Sequence, residues 1–418
     1  MAWIPEGYSG WLFGGFSVST VLWGFLMVYS FNTALHYRPL PDHTGIGRAR
    51  TSTRLRELRT DMVPVGLHVA RWMVQVATVA FSKYMIGWRN KIEVVDDANS
   101  KFLYSAMRTR PQGVPLLTVA NHASSMDDPG LLSCMMPLDV ILRPSKVRWS
   151  IATQEIVFPD IPWIQAFMGA GNVLPIWRGG GIDQPLFHDF ARQIAGGSWG
   201  HVFPEARVVQ SGLLGIDAIT KRSAPEQREK GVLKWGIGKL VAHMPVKPVV
   251  VPFWHYGMAA VLQQHNKWEG DVFNNRVISW RNMAAGNTVK VWIGEEIHFD
   301  DLISQHEKKH GPLHKIDTQP NGHGEAWDVE FAKWKTRETD KALYSAITAR
   351  VEKSLRTLQE RADAAVASAP PDDKLHIYCP RSRLAMAHPR SSRAPPKEAT
   401  LLRRVPPQEK KALEDKPA

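Results

Sequence analysis

Cysteine is nearly absent: 418 residues contain only Cys134 and Cys379, far apart and in unlike contexts. A disulfide framework is thereby excluded. No set of metal ligands stands out, so neither a catalytic metal nor another cofactor is expected. No internal repeat occurs, and 44% hydrophobic with 22% charged residues excludes a collagen-like or wholly disordered chain. Acidic residues are the scarcer charge, 40 against 52 Lys plus Arg, a formal net charge of +12. That balance favours anionic partners, whether phospholipid surfaces, nucleotides or nucleic acid. The length suits two or three domains of roughly 100–200 residues, or one large core with appended tails.

Charge is also missing near the N-terminus, where no Asp, Glu, Lys or Arg lies between Glu6 and Arg38. As a helix, residues 11–35 would reach roughly 37 Å at about 1.5 Å per residue, against a bilayer core of about 30 Å. The stretch has no basic leading region and no clear cleavage site, and the first 20 residues hold no Arg or Lys. It reads as a retained anchor rather than a signal or transit peptide, with a buried core helix as the alternative. Arg38, Arg48, Arg50, Arg54, Arg56 and Arg59 follow, against Asp42 and Glu57, a run that suits an anionic lipid surface or a solvated linker. Residues 62–88 are apolar but broken by Arg71 and Lys83 and edged by Trp72, Phe81, Tyr84 and Trp88. Aromatics with flanking cations fit a segment lying in one leaflet.

From about residue 90 the pattern is that of an α/β domain. The runs VPLLTVA, VLPI, WGHVFP, VKPVVVPF and TVKVWIG alternate with helical patterns, predicting a sheet flanked by helices between residues 90 and 300. Phe331, Trp334, Leu343, Ile347, Val351, Leu355 and Leu358 then fall at helical spacing and predict one long amphipathic helix over 326–362. Residues 381–418 carry ten Lys or Arg, four Asp or Glu and six Pro, a composition expected to stay disordered. The resulting partition is a membrane anchor with a basic juxtamembrane segment over 1–60, an interfacial segment over 61–90, the α/β domain over 91–362 and a basic tail over 363–418.

The most informative stretch is PLLTVANHASSMDDPGLL, residues 115–132. An apolar strand ends at Ala120 and a polar loop presents Asn121, His122, Ser124, Ser125 and Asp127. Asp128 before Pro129 predicts an N-cap with proline at the first helical position, so that a helix starts at Gly130. His122 and Asp127 then sit at the carboxyl end of a strand, where open α/β sheets bind ligands. An imidazole with a carboxylate on one nitrogen has the other free to take a proton. The same pair also fits a hydrogen-bonded loop histidine with a capping aspartate. His201 and His255 read as packing or supporting histidines, and Cys134 as a buried inert thiol.

The run NHASSMDDP resembles the Asn-His-x4-Asp motif of the glycerolipid acyltransferase family. Three later blocks occur in that family's order: GNVLPIWRG at 171–179, HVFPEAR at 201–207 and VVVPFWHYGM at 249–258. The resemblance spans roughly residues 80–305 and implies a single acyltransferase domain on a central mixed sheet. It implies that His122 and Asp127 are the catalytic pair, with Asn121 beside them. It assigns Arg178 and Gly179 to the acceptor phosphate, Pro204 and Glu205 to the glycerol moiety, and to Pro252 a shaping role, where the residue pattern alone would also allow a strand stop. One departure is Ala206, which replaces a glycine and adds a β-carbon at the glycerol site. The resemblance further implies CoA-independent acyl transfer from a phospholipid to a lysophospholipid, notably forming cardiolipin from monolysocardiolipin. An acyl-CoA-dependent lysophospholipid acyltransferase and a membrane-tethered lipid-binding scaffold are the alternatives. The expected partners are those lipids, an anionic membrane surface and other membrane proteins, with no nucleic acid. The implied location is mitochondrial membranes facing the intermembrane space, with endoplasmic reticulum or plastid membranes as the alternative.

Overall fold

A computed structural model describes residues 65–158, 167–177, 180–209, 233–262, 264–266, 276–278, 286–318 and 325–368. The predicted anchor within 1–60, the tail from 369 onward, Arg178 and Gly179 lie outside these residues. Among the described residues, no helix is long and apolar enough to cross a membrane.

Strands β1 (Lys91–Val94), β2 (Leu116–Ala120), β3 (Trp149–Thr153), β4 (Val173–Ile176), β5 (Trp199–Val202), β6 (Val249–Tyr256) and β9 (Thr288–Ile293) form one sheet in the order β1-β9-β6-β2-β5-β3-β4. A separate antiparallel pair joins β7 (Gln264–Asn266) to β8 (Arg276–Ile278). The main sheet is mixed. β2 runs parallel to both β5 and β6, and β3 is parallel to β4 and β5, whereas β6 and β9 are antiparallel. The five apolar runs of the sequence all became strands. β1 and β3 had no such signal, because their residues are mostly half-exposed.

Parallel pairing brings the carboxyl ends of β2, β4, β5 and β6 to one edge, and β6 continues beyond β2, whose last residue Ala120 is paired with Phe253. Pro252 therefore sits inside an eight-residue central strand rather than ending one, in register with Val119. Side chains alternate along a strand, and Pro252 lies on the face opposite His255, against Gly294.

Each face of the sheet has its own helical layer. Helices Val65–Ser82 and Ala98–Thr109, with the turns between Asp127 and Ile141, cover Leu116, Ala120, Val251 and Phe253. On the opposite face, helices Pro185–Ala195, Gly236–Ala242 and Asp340–Ala367 cover Leu117, Val119, Val250 and Trp254. The apolar residues expected on one long helix belong to two, Glu325–Trp334 and Asp340–Ala367. The break falls where the Thr336 backbone N–H and hydroxyl both bond to Asp183 at 3.1 and 2.7 Å. The second helix runs past residue 362 and buries Asp363 and Val366. It lies so close to Gly236–Ala242 that a β-carbon on Gly238 would run into the Tyr344 backbone.

Candidate active site

Ala120 ends β2, and Asn121 splices the loop to the neighbouring strand. Its carboxamide oxygen accepts the His255 N–H at 3.0 Å, and its amide nitrogen donates to the His255 carbonyl at 3.1 Å. These bonds fix where His122 begins. The His122 backbone N–H donates to Glu205 Oε1 at 2.9 Å, and its carbonyl accepts the Val209 N–H at 2.6 Å. Its ring stacks on Phe203, centroids 4.0 Å apart and planes within 12°. The loops after β2 and β5 thus hold the imidazole from two sides.

Asp127 completes the arrangement. Its Oδ2 lies 2.9 Å from His122 Nδ1 and accepts the backbone N–H groups of Ala123 at 2.7 Å and Ser124 at 2.8 Å. Donors alone surround this oxygen, so Nδ1 carries the proton and Nε2 presents its lone pair. The aspartate side chain is 1% exposed and the histidine 18%, so the pair is oriented outward from a sealed base. Asp127 Oδ1 is buried without a hydrogen-bond partner among the described residues.

The sequence places a helix N-cap at Asp128, and the structure corrects this. Asp128 has extended backbone angles and makes no capping bond. It pairs with the buried Arg148, whose Nη1 also donates to the Gly171 carbonyl at 2.7 Å. A π-type turn, Asp127–Leu131, leads into a four-residue helix, Leu132–Met135. The N-terminus that follows Asp128 is thus shorter and less regular than expected.

Of the remaining expected residues, Pro204 and Glu205 are buried beside His122. Ala206 keeps the glycine-type turn by adopting φ 54°, and its N–H bonds to the Phe203 carbonyl at 3.0 Å. Trp177, next to Arg178, is held by Gln184, which accepts its N–H and donates to its carbonyl, both at 2.8 Å. Sequence reasoning overlooked the Phe203 stack and Arg148. Their signals were the aromatic in Phe-Pro-Glu and a lone arginine entering a strand.

A family model described as Acyltransferase matches residues 101–256, which enclose His122, Asp127, Asn121, Glu205 and His255. An N-acylphosphatidylethanolamine synthase of Arabidopsis thaliana is 30% identical over 303 residues, 70% of this chain and 92% of that protein. The Taffazin of Dictyostelium discoideum is 31% identical over 224 residues, 52% of this chain and 67% of its own length. The chain belongs to the acyltransferase family. The Tafazzin of Drosophila melanogaster is 30% identical over 245 residues, 59% of this chain, and the chain spans 56% of that relative's length.

In this acyltransferase two nucleophilic side chains, Cys134 and Ser124, are poorly placed for covalent chemistry. Burial pushes the Cys134 thiol up to about 11, and its sulfur contacts the Ser82 carbonyl at 3.5 Å. Ser124 is fully buried, with its hydroxyl oxygen accepting the Met126 N–H at 3.2 Å. One string, His306-Glu307-Lys308-Lys309-His310, does have the His-Glu-x-x-His spacing of a zinc site, a signal that runs against the expectation of no metal. His306 Nε2 is taken by Asp340 Oδ1 at 3.1 Å, and among the described residues no three potential ligands gather as a metal site.

Proposed function

We propose that this acyltransferase moves a fatty acyl group from a phospholipid to a lysophospholipid without coenzyme A, with monolysocardiolipin as the acceptor and cardiolipin as the product. The observation that carries this reading is the His122 imidazole, held at Nδ1 by Asp127 while Nε2 faces outward at the carboxyl edge of β2. A lysophospholipid hydroxyl loses its proton only far above neutral pH and needs a base. Nε2 takes that proton as the hydroxyl oxygen attacks the donor's ester carbonyl. Collapse of the tetrahedral intermediate breaks the old ester bond, and the departing oxygen takes the proton back from Nε2. Asp127 holds the tautomer and stabilises the imidazolium between the two transfers. Holding two lipids in register supplies much of the remaining acceleration.

In this reading Arg178 and Gly179 hold the acceptor phosphate, Pro204 and Glu205 shape the glycerol site, and Asn121 and Pro252 fix the strands around it. Phe81, Tyr84 and Trp88 are 55%, 51% and 73% exposed and, with Leu138 and Leu142, stand on the helical layer that also carries Asp127. That apolar surface supports attachment to one leaflet of an anionic membrane, from which lipid tails enter. The proposed location is mitochondrial membranes facing the intermembrane space, with endoplasmic reticulum or plastid membranes as the alternative.

The long coverage of the N-acylphosphatidylethanolamine synthase favours one second reading, in which the acceptor is the amine of phosphatidylethanolamine and His122 serves the same base role. Purified protein in bilayers, given radiolabelled phosphatidylcholine and monolysocardiolipin without CoA, is expected to form labelled cardiolipin. Label in N-acylphosphatidylethanolamine instead supports the second reading, and turnover only with acyl-CoA overturns the donor assignment. His122→Ala is expected to lose about 10²- to 10⁴-fold in kcat with lipid binding retained.

A further inference from the structure

His255 is a buried imidazole that the mechanism above leaves unused. It lies near the end of β6, fully buried, on the face that meets the His122 loop. Its backbone N–H and carbonyl are both occupied by Asn121, and its ring Nε2 lies 3.1 Å from the Asn121 carbonyl. A carbonyl only accepts, so Nε2 carries the hydrogen. The same Nε2 is 3.7 Å from Asp127 Oδ2, the oxygen that also faces His122 Nδ1. Nδ1 of His255 has no hydrogen-bond partner among the described residues. Two backbone hydrogen bonds and one ring hydrogen bond to Asn121 keep His255 beside the carboxylate.

Resting on the general-base reading of His122, we propose that His255 is a positioning residue for acyl transfer: its Nε2–H holds the Asn121–Asp127 loop in register and sets the field that Asp127 exerts on His122. Burial lowers the proton affinity of His255, keeping the ring neutral near pH 7, so it offers a fixed N–H dipole and no net charge. A neutral donor beside Oδ2 draws off part of the carboxylate's charge without competing for the His122 proton. The other charged and titratable groups around His122 are Asp127 on its own loop, Glu205 after β5, and His201 on β5. Arg148, at the entry to β3, faces His201 and is paired with Asp128.

The test compares His255→Phe, His255→Gln and His255→Asn in the full chain in bilayers, with kcat, KM and the pH–rate profile measured for each. Phenylalanine fills the space without a donor, glutamine brings an amide N–H to the Nε2 position, and asparagine places it at the Nδ1 position. His255→Phe is expected to lose about tenfold to a hundredfold in kcat with KM nearly constant. The acid limb of its profile moves up by roughly half a pH unit, because Asp127 then favours protonated His122 more strongly. His255→Gln is expected to restore the limb and bring kcat to within about threefold of the parent, while His255→Asn behaves like Phe. A Phe variant with parental kcat and an unmoved limb overturns the proposal, as do equal losses in all three variants. If the Phe variant does not fold, Gln against Asn decides, equality overturning it and a Gln advantage with the parental limb supporting it. His122→Ala runs alongside: activity retained there removes the general-base reading itself, whereas an inactive His122→Ala beside a normal His255→Phe removes only the role of His255.

Discussion

On one face of the sheet, helix Asp340–Ala367 and its neighbours close over Trp254, Leu343, Ile347, Val351 and Leu355, and charged groups there come in pairs: Lys239 with Asp183, His306 with Asp340, His314 with Glu330. On the other face lie His122, Asp127, His201 and His255, and several buried polar atoms there (Asp127 Oδ1, His201 Nε2, His255 Nδ1) have no hydrogen-bond partner among the described residues. Leaving a buried polar atom unpaired costs about 1–3 kcal/mol. Such atoms occur on the first face too, at Trp254 Nε1, Trp334 Nε1 and Thr348 Oγ1, but on the second they belong to groups gathered around His122, where proton transfer is proposed. Its outer surface differs as well. Six of the eight exposed large hydrophobic residues among the described ones, Phe81, Tyr84, Trp88, Phe102, Leu138 and Leu142, stand on its helices and turns. In the proposed reading one face stabilises, and the other meets lipid and carries the reaction.

If that division is real, variants on the two faces separate cleanly. His122→Ala should abolish most turnover while leaving the melting temperature within a few degrees of the parent. Leu355→Ala, at a fully buried position on the stabilising face, should do the reverse. It should cost about 2–5 kcal/mol of stability with kcat per folded molecule unchanged. Thermal unfolding and turnover measured on both variants check this, and a Leu355→Ala variant that is stable but slow would erase the division.

Acidification offers a smaller test of the stabilising face. His243 is buried, with Nδ1 donating to the His314 carbonyl at 2.6 Å and Nε2 accepting the Tyr344 hydroxyl at 2.5 Å. Burial lowers it to about 4 from an ordinary 6.5. Its folded value is depressed, so between about 6.5 and 4 the unfolded chain binds a proton that the fold refuses. The stability it contributes is complete above about 6.5 and is lost as pH falls toward 4, by roughly 2–3 kcal/mol. Asp301, held near 2 by Arg350, acts only in a lower window, below its ordinary 3.8. The melting temperature followed from pH 7 to pH 4 should fall, and His243→Gln should flatten that slope. A slope unchanged in the variant assigns the loss to the reactive-face histidines His201 and His255, which burial also depresses.

The sequence made the outlines of both faces legible to different degrees. Strands buried on both sides, such as β2 and β6, appear as unbroken apolar runs, and period and length suffice to find them. Short half-exposed strands such as β1 leave no such trace. The pairing of His122 with Asp127 was legible because both lie on one loop. The contacts from Glu205, Phe203 and His255 were not, because each reaches His122 or its loop across the sheet and depends on strand order. The break between Trp334 and Asp340 was hidden for the same reason, since the group that takes the Thr336 N–H is Asp183, 153 positions earlier.

The smallest expected effect lies on the reactive face, at Ala206. Its φ of 54° is a left-handed conformation, which costs an L-residue with a β-carbon roughly 1–2 kcal/mol. The turn keeps this shape because the Ala206 N–H bonds back to Phe203 while Glu205 reaches the His122 backbone. Ala206→Gly removes the steric cost but frees the unfolded chain, worth about 0.4–1 kcal/mol in the opposite sense. The net gain should be about 0.5–1 kcal/mol, a rise of roughly 1–3 °C in melting temperature, with turnover within about threefold of the parent because Glu205 and His122 keep their bond. Ala206→Val, which adds branching at the same angle, should lose stability by more than glycine gains. A glycine variant that melts lower than the parent shows that the alanine β-carbon makes a stabilising contact, and that the turn behind His122 is held by packing rather than tolerated as strain.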